Sequence, residues 1–204
     1  LEVPFIYFPL HMDMEQNPLI TAPFFTNQVE TVRHVAKSLP PGFSLYVKEH
    51  PHQMFRGWRK ISTYKEIMNI PNVILINPYY SSENLVQHCS MIVTISGSAG
   101  LEGAFYEKPA IILSDVRYDV LPSVYRLKNL DELPHAIRIG LNKKTPSEYL
   151  DKYVTFMNNN SFELDLVGLF ISEANNLYYG GFLTDTEILP SKLRSFFAEN
   201  EEAF

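Results

Sequence analysis

Short apolar runs alternate along the chain with stretches in which apolar residues recur every three or four positions. Residues 3–8 are rich in aromatic and β-branched side chains and predict a strand. Residues 11–23 are polar with two prolines and predict a long loop. Phe25, Val29, Val32, Ala36 and Leu39 then fall at helical spacing, predicting a helix over 24–39 that ends at Pro40-Pro41-Gly42. Strands follow at 43–48, 73–76, 91–95 and 109–113, with a short one at 123–127. Between them the pattern predicts a loop at 53–59 and a helix at 61–69. It also predicts a helix capped by Ser81 and running to His88, a turn and helix at 97–106, and a helix at 130–141.

Strands rich in Val, Ile and Leu, separated by helices, predict a parallel sheet covered on both faces. The expected fold class is therefore α/β, a Rossmann-like domain over residues 1–145. From Pro146 the pattern changes. Residues 147–157 and 185–199 read as helices, with Gly180-Gly181 in an irregular stretch between them. Residues 146–204 are expected to be C-terminal helices packed on the same domain. The first strand begins almost at Leu1, which reads as a piece of a longer protein.

Composition narrows the function. The net charge is −6 without basic runs, which argues against nucleic acid as a partner. One cysteine among 204 residues excludes an intrachain disulfide and fits a reducing compartment. The apolar runs are far shorter than the ~20 residues of a membrane span, and no signal-peptide pattern is visible. No dinucleotide Gly-x-Gly-x-x-Gly, Gly-Lys-Ser/Thr phosphate loop or Gly-x-Ser-x-Gly elbow occurs.

Doubly wound sheets bind ligands at the carboxyl ends of their strands, which directs attention to three loops. Lys48-Glu49-His50-Pro51 closes the second strand. Lys48 and His50 fall on one side of an extended chain, where an anion can meet both. The plainer reading is a solvated charged strand end. Ser96-Gly97-Ser98-Ala99-Gly100 opens a helix after a buried strand, so small residues and orphan amides suit a phosphate, with Glu102 one turn on as a ribose acceptor. The plainer reading there is a serine N-cap with glycines for close packing. Pro9-Leu10-His11 follows the first strand, with Asp13 and Glu15 beyond it. His11 is a candidate phosphate or carboxylate donor and Glu15 a polar contact. Asp13 and Glu15 have the chemistry of a hard-cation pair, but a solvated acidic loop is the favoured reading and no metal is assigned. His34, His52, His88 and His135 read as structural, and Cys89 as a packed thiol.

Together, Pro9-Leu10-His11, Lys48-Glu49-His50-Pro51, Gly97-Ser98-Ala99-Gly100-Leu101-Glu102 and Lys108-Pro109 resemble the capsule polysaccharide biosynthesis family, which includes bacterial Kdo transferases. Where that family often has Gln-Pro-Glu after Pro-Leu-His, this chain has Asp13-Met14-Glu15. The resemblance implies the C-terminal, nucleotide-sugar-binding half of a two-domain GT-B glycosyltransferase related to bacterial sialyltransferases. His50 and Pro51 would bind the nucleotide of a CMP-sugar, and Ser96, Gly97, Ser98 and Ala99 its phosphate. Lys48 and a protonated His50 would stabilise the departing phosphate. The donor would be CMP-Kdo or a related acidic sugar and the acceptor a surface polysaccharide or glycolipid, with no cofactor. The catalytic base would lie in an N-terminal domain of the same enzyme, so these residues alone would be inactive. The location implied is the cytoplasm, including the inner face of the membrane by peripheral association. Two alternatives stand beside this: an enzyme similar to UDP-N-acetylglucosamine 2-epimerase, and a non-catalytic Rossmann-like interaction domain.

Overall fold

A computed structural model describes residues 3–13, 20 and 22–161. Six strands form one sheet: β1 (Phe5–Pro9), β2 (Ser44–Lys48), β3 (Val73–Ile76), β4 (Met91–Thr94), β5 (Ala110–Ile112) and β6 (Val124–Arg126). Their order is β3-β2-β1-β4-β5-β6, and every neighbouring pair is parallel. The helices are α1 (Gln28–Lys37), α2 (Ile61–Met68), α3 (Ser82–His88), α4 (Ala99–Phe105), α5 (Leu133–Gly140) and α6 (Ser147–Asn159). The expected doubly wound α/β class is the one observed.

Period-two alternation assigns each strand residue to a helical layer. Ile6 and Phe8 of β1, with Leu45, Val47, Met91, Val93 and Ile111, pack against Val32 and Val35 of α1, Ile67 of α2, and Leu133 and Ile137 of α5. Phe5 and Tyr7 face the other way with Ile92 and Ala110, against Leu85 and Val86 of α3 and Cys89. Ile112 packs with Ala104 of α4, Tyr118 and Leu121, joined by Leu150 and Tyr153 of α6. Burying each such aliphatic side chain stabilises the fold by about 1.5–3 kcal/mol. The first compact unit extends to Tyr153, and the second begins at Val154.

Several expected boundaries move. The helix expected over 24–39 is two elements, a 3₁₀ turn at Pro23–Phe25 and α1. Asn27 separates them, its side chain accepting the Glu30 amide at 3.3 Å as an N-cap. Helix α1 is followed by the Pro40-Pro41-Gly42 turn, where Gly42 has φ +83°, a conformation that favours glycine. The loop expected at 53–59 is largely a 3₁₀ helix, Pro51–Arg56. The helix expected at 130–141 begins as a 3₁₀ turn at Leu130–Glu132. Ser81 caps α3 as expected, accepting the Asn84 amide at 3.2 Å. The helix expected at 185–199 and the contact Glu15 lie outside the described residues.

Candidate functional site

The strand order reverses direction between β1 and β4, so the loops leaving these strands diverge to opposite faces. A cleft of about 300 Å³ opens there, at the carboxyl edge of the sheet. It is lined by Tyr7, Pro9, Leu10 and His11 from β1 and its loop, and by Lys48, Glu49, His50 and Pro51 from β2. Ser82 of α3 and Ser96, Gly97, Ser98, Ala99 and Glu102 after β4 complete it. The three sequence elements thus converge on one cavity.

His11 is a strut within it. Its backbone is held by the side chain of Gln28, whose Oε1 accepts the His11 N–H at 2.7 Å while its Nε2 donates to the His11 carbonyl at 3.0 Å. The His11 Nε2 accepts the Ser96 backbone N–H at 3.3 Å and lies 3.4 Å from Thr94 Oγ1. A backbone N–H can only donate, so this imidazole carries its proton on Nδ1. His11, expected to donate to a ligand, lines the cleft and also ties the β1 loop to the β4 turn through Nε2.

The β2 end is organised by a buried carboxylate. Glu49 is 1% exposed. Its oxygens accept from the His50 amide at 2.7 Å, from Arg59 Nε at 2.6 Å and from the Tyr64 hydroxyl at 2.9 Å. Arg59 also donates to Asp13 Oδ1 and to the His11 carbonyl, so a single guanidinium joins both loops. Burial and the bond to Glu49 push the Tyr64 phenol up to about 12. Gln53 adds a further tie, accepting the Asp13 amide at 2.9 Å.

Lys48 is only 3% exposed, and its ammonium donates to Ser82 Oγ at 2.9 Å. Burial lowers its pKa from 10.5, with the Glu49 charge acting in the opposite sense. Tyr7, beside the same serine, is raised to about 12 by burial. The His50 Nδ1 accepts the His52 amide at 3.1 Å, which makes it a neutral ring with the proton on Nε2. A His50 protonated beside a phosphate would exchange that bond for a donor role at Nδ1.

The β4 turn is built from inside. Thr94 Oγ1 accepts the Gly97 amide at 3.1 Å. The Tyr118 hydroxyl donates to the Gly97 carbonyl. A Cβ on Gly100 would stand 2.7 Å from that hydroxyl, so Gly100 is small to admit Tyr118 and faces away from the cleft. Ser98 occupies the N-cap position of α4 without capping it, because its hydroxyl donates to Glu102 Oε1 at 2.7 Å. The first i→i−4 bond of α4 runs from the Glu102 amide to the Ser98 carbonyl at 2.9 Å, which leaves the Ser98 and Ala99 amides ahead of it. The Ser96 hydroxyl is buried without a hydrogen-bond partner.

Other candidates lie elsewhere. The Cys89 thiol is buried, bonded to the Val86 carbonyl at 3.3 Å and pushed up to about 12 by burial. The His88 ring bonds the Asn84 carbonyl. Asp13 is paired with Arg59, and no group of three or more metal-ligating side chains converges among the described residues. A second cavity, of about 550 Å³, lies between Pro23–Phe25 and the ends of β5 and β6.

Sequence reasoning missed Arg59, Tyr64, Gln28, Thr94 and Tyr118. The available signal was Glu49. A carboxylate between Lys48 and His50 at the end of a buried strand needs a cation, and the arginines that follow it in sequence are Arg56 and Arg59.

The family described as capsule polysaccharide biosynthesis protein matches residues 23–127, just over half the chain. The chain belongs to that family. No curated protein matches it. Its fold is similar to that of UDP-GlcNAc 2-epimerase from Methanocaldococcus jannaschii, with TM-score 0.54 and 17% identity over 76% of this chain and 46% of the other. It is similar to the KpsC β-Kdo 2,7 transferase of Thermosulfurimonas dismutans, with TM-score 0.50 and 11% identity over 78% and 56%. It also resembles S. aureus MnaA, solved with UDP, with TM-score 0.50 and 16% identity over 79% and 47%. At these identities the likeness is one of fold, a Rossmann-like half of the GT-B arrangement. The chain spans about half the length of these structures. No described helix is long and apolar enough to cross a membrane.

Proposed function

We propose that this cleft holds the nucleotide and phosphate of a sugar donor, and that the chain is the donor-binding domain of a glycosyltransferase. The donor is a CMP-linked acidic sugar such as Kdo, and the acceptor a growing surface polysaccharide or glycolipid. The observation that carries the reading is the buried Lys48 ammonium, which meets a serine hydroxyl and lines an open cleft together with His50 and the Ser98 and Ala99 amides. A cation with so little compensation favours an anion in the cavity. Family membership and the fold shared with a Kdo transferase support the same reading.

Glycosyl transfer passes through an oxocarbenium-like transition state, and negative charge grows on the departing phosphate oxygen. The Lys48 ammonium, the His50 Nε2–H and the α4 amides are preorganised donors for that oxygen. Glu102 accepts from a ribose hydroxyl while retaining Ser98. A single departing phosphate is neutralised by these groups without a metal, and the acceptor's base belongs to the rest of the enzyme.

Calorimetric titration tests this. CMP binds the chain, and NAD and ATP do not. His50→Ala removes a charge-assisted bond of about 1.5–3 kcal/mol, a loss of roughly ten- to a hundredfold in affinity, at an unchanged melting temperature. Equal binding of every nucleotide, or none of CMP, counts against the assignment. UDP binding more tightly than CMP favours the second reading, an epimerase-like enzyme, to which the fold shared with UDP-GlcNAc 2-epimerase lends weight.

A further inference from the structure

We infer that Arg59 is the positioning residue of this cleft: its guanidinium locks the His11 loop to the His50 loop, and the buried Glu49 sets the guanidinium. The inference deepens the donor-binding reading and rests on it for its ligand.

Arg59 comes from the segment that leads into α2, beyond the cleft-lining residues. Its side chain is 7% exposed, and that of Glu49 only 1%. The guanidinium reaches Glu49 through Nε at 2.6 Å and through Nη2 at 3.4 Å. Nη1 goes to Asp13, and Nη2 also to the His11 carbonyl. The planar fork therefore spans two loops that leave adjacent parallel strands, which among the described residues are also joined by the Leu10 amide to Lys48 carbonyl bond, 2.8 Å, and the Asp13 amide to Gln53 Oε1 bond, 2.9 Å. Lysine carries the same charge as a point and lacks the fork.

The bond from the His50 amide to Glu49 Oε1 links this pair to the ring that lines the cleft. Glu49 fixes the backbone at His50, and the turn that follows lets the His52 amide reach His50 Nδ1 at 3.1 Å. The tautomer that presents Nε2–H is thus selected at the end of a chain that begins with Arg59. On the other loop, the held His11 carbonyl keeps the imidazole against the Ser96 amide. Loss of the fork frees Glu49 and with it the His50 turn, while the His11 backbone keeps its two bonds to Gln28 and loses one of its ties to the neighbouring loop.

The test uses the full chain with Arg59→Lys and Asp13→Asn. Asp13 is 47% exposed at its side chain, so its replacement by the neutral amide weakens one arm of the clamp with little effect on folding. Three quantities are read: melting temperature, affinity for CMP, and the imidazole ¹⁵N shifts of His50 and His11 without ligand. Arg59→Lys is expected to weaken CMP roughly tenfold or more and to move the His50 nitrogens from one tautomer to an averaged signal. Asp13→Asn gives the same changes in smaller measure. Unchanged ¹⁵N shifts and affinity in whichever variants fold, even with a lower melting temperature, overturn the inference. If the wild-type chain binds no CMP, the donor-binding reading fails, while the ligand-free ¹⁵N shifts still decide the role of Arg59.

Discussion

Lys48 shows at the scale of a single residue how this cleft sets binding against stability. Burial lowers its pKa from 10.5, so the unfolded chain holds that proton more tightly than the folded one. The resulting cost is fully present below the folded pKa, and stability recovers as pH rises from there through 10.5. Lys48→Met should therefore raise the melting temperature at pH 7, with a smaller gain at pH 10, while weakening CMP. Paired melts and titrations check this. A lower melting temperature at pH 7 would mean that the Ser82 bond outweighs the desolvation of the ammonium. The residue types of the site were legible in the sequence, since Pro-Leu-His, Lys-Glu-His-Pro and the Ser-Gly-Ser turn all reach one cavity. The orientation of the hydrogen bonds was not. The tautomers of His11 and His50 depend on amides 85 and 2 residues away, and no spacing rule encodes the first of these.

At the scale of elements, the strands were the most legible part, because buried parallel strands read as short apolar runs, aromatic in β1 and rich in Val, Ile and Leu in β3, β4 and β5. The 3₁₀ helix at Pro51–Arg56 was not, since one or two tight turns carry no sustained apolar period. The clamp was hidden for another reason: Arg59 meets His11 across 48 residues, a separation only the fold closes. The packing of α4 yields a further prediction. Gly100→Ala places a methyl group 2.7 Å from the Tyr118 hydroxyl and 2.9 Å from its ring, and overpacking of this kind costs about 1–3 kcal/mol. In a Tyr118→Ala background the same change should cost far less. Chemical denaturation of the four proteins measures the coupling, and strictly additive effects would show that the glycine is required for some other reason.

Across the described sheet, Cys89 gives a probe of the whole molecule. It lies in the layer between α3 and the sheet, and its thiol is pushed up to about 12 by burial. Only the thiolate reacts with alkylating agents. Iodoacetamide at pH 8 should therefore leave the native protein unlabelled and label it at a rate that follows denaturant unfolding. Rapid labelling in native buffer would reveal local opening of α3.

The reversal of strand order also bears on how the chain is made. β1 gains its first neighbour once β2 has emerged, but its second, β4, begins only at Met91. While the residues between are synthesised, one edge of β1 stays open, with the apolar run Phe5, Ile6, Tyr7 and Phe8 beside it, a template for pairing with another nascent chain. The cleft lies at that same late seam. A nascent chain that ends before Met91 has an exposed edge and no binding site, and the cleft is complete only once the turn after β4, Glu102 and Tyr118 have followed.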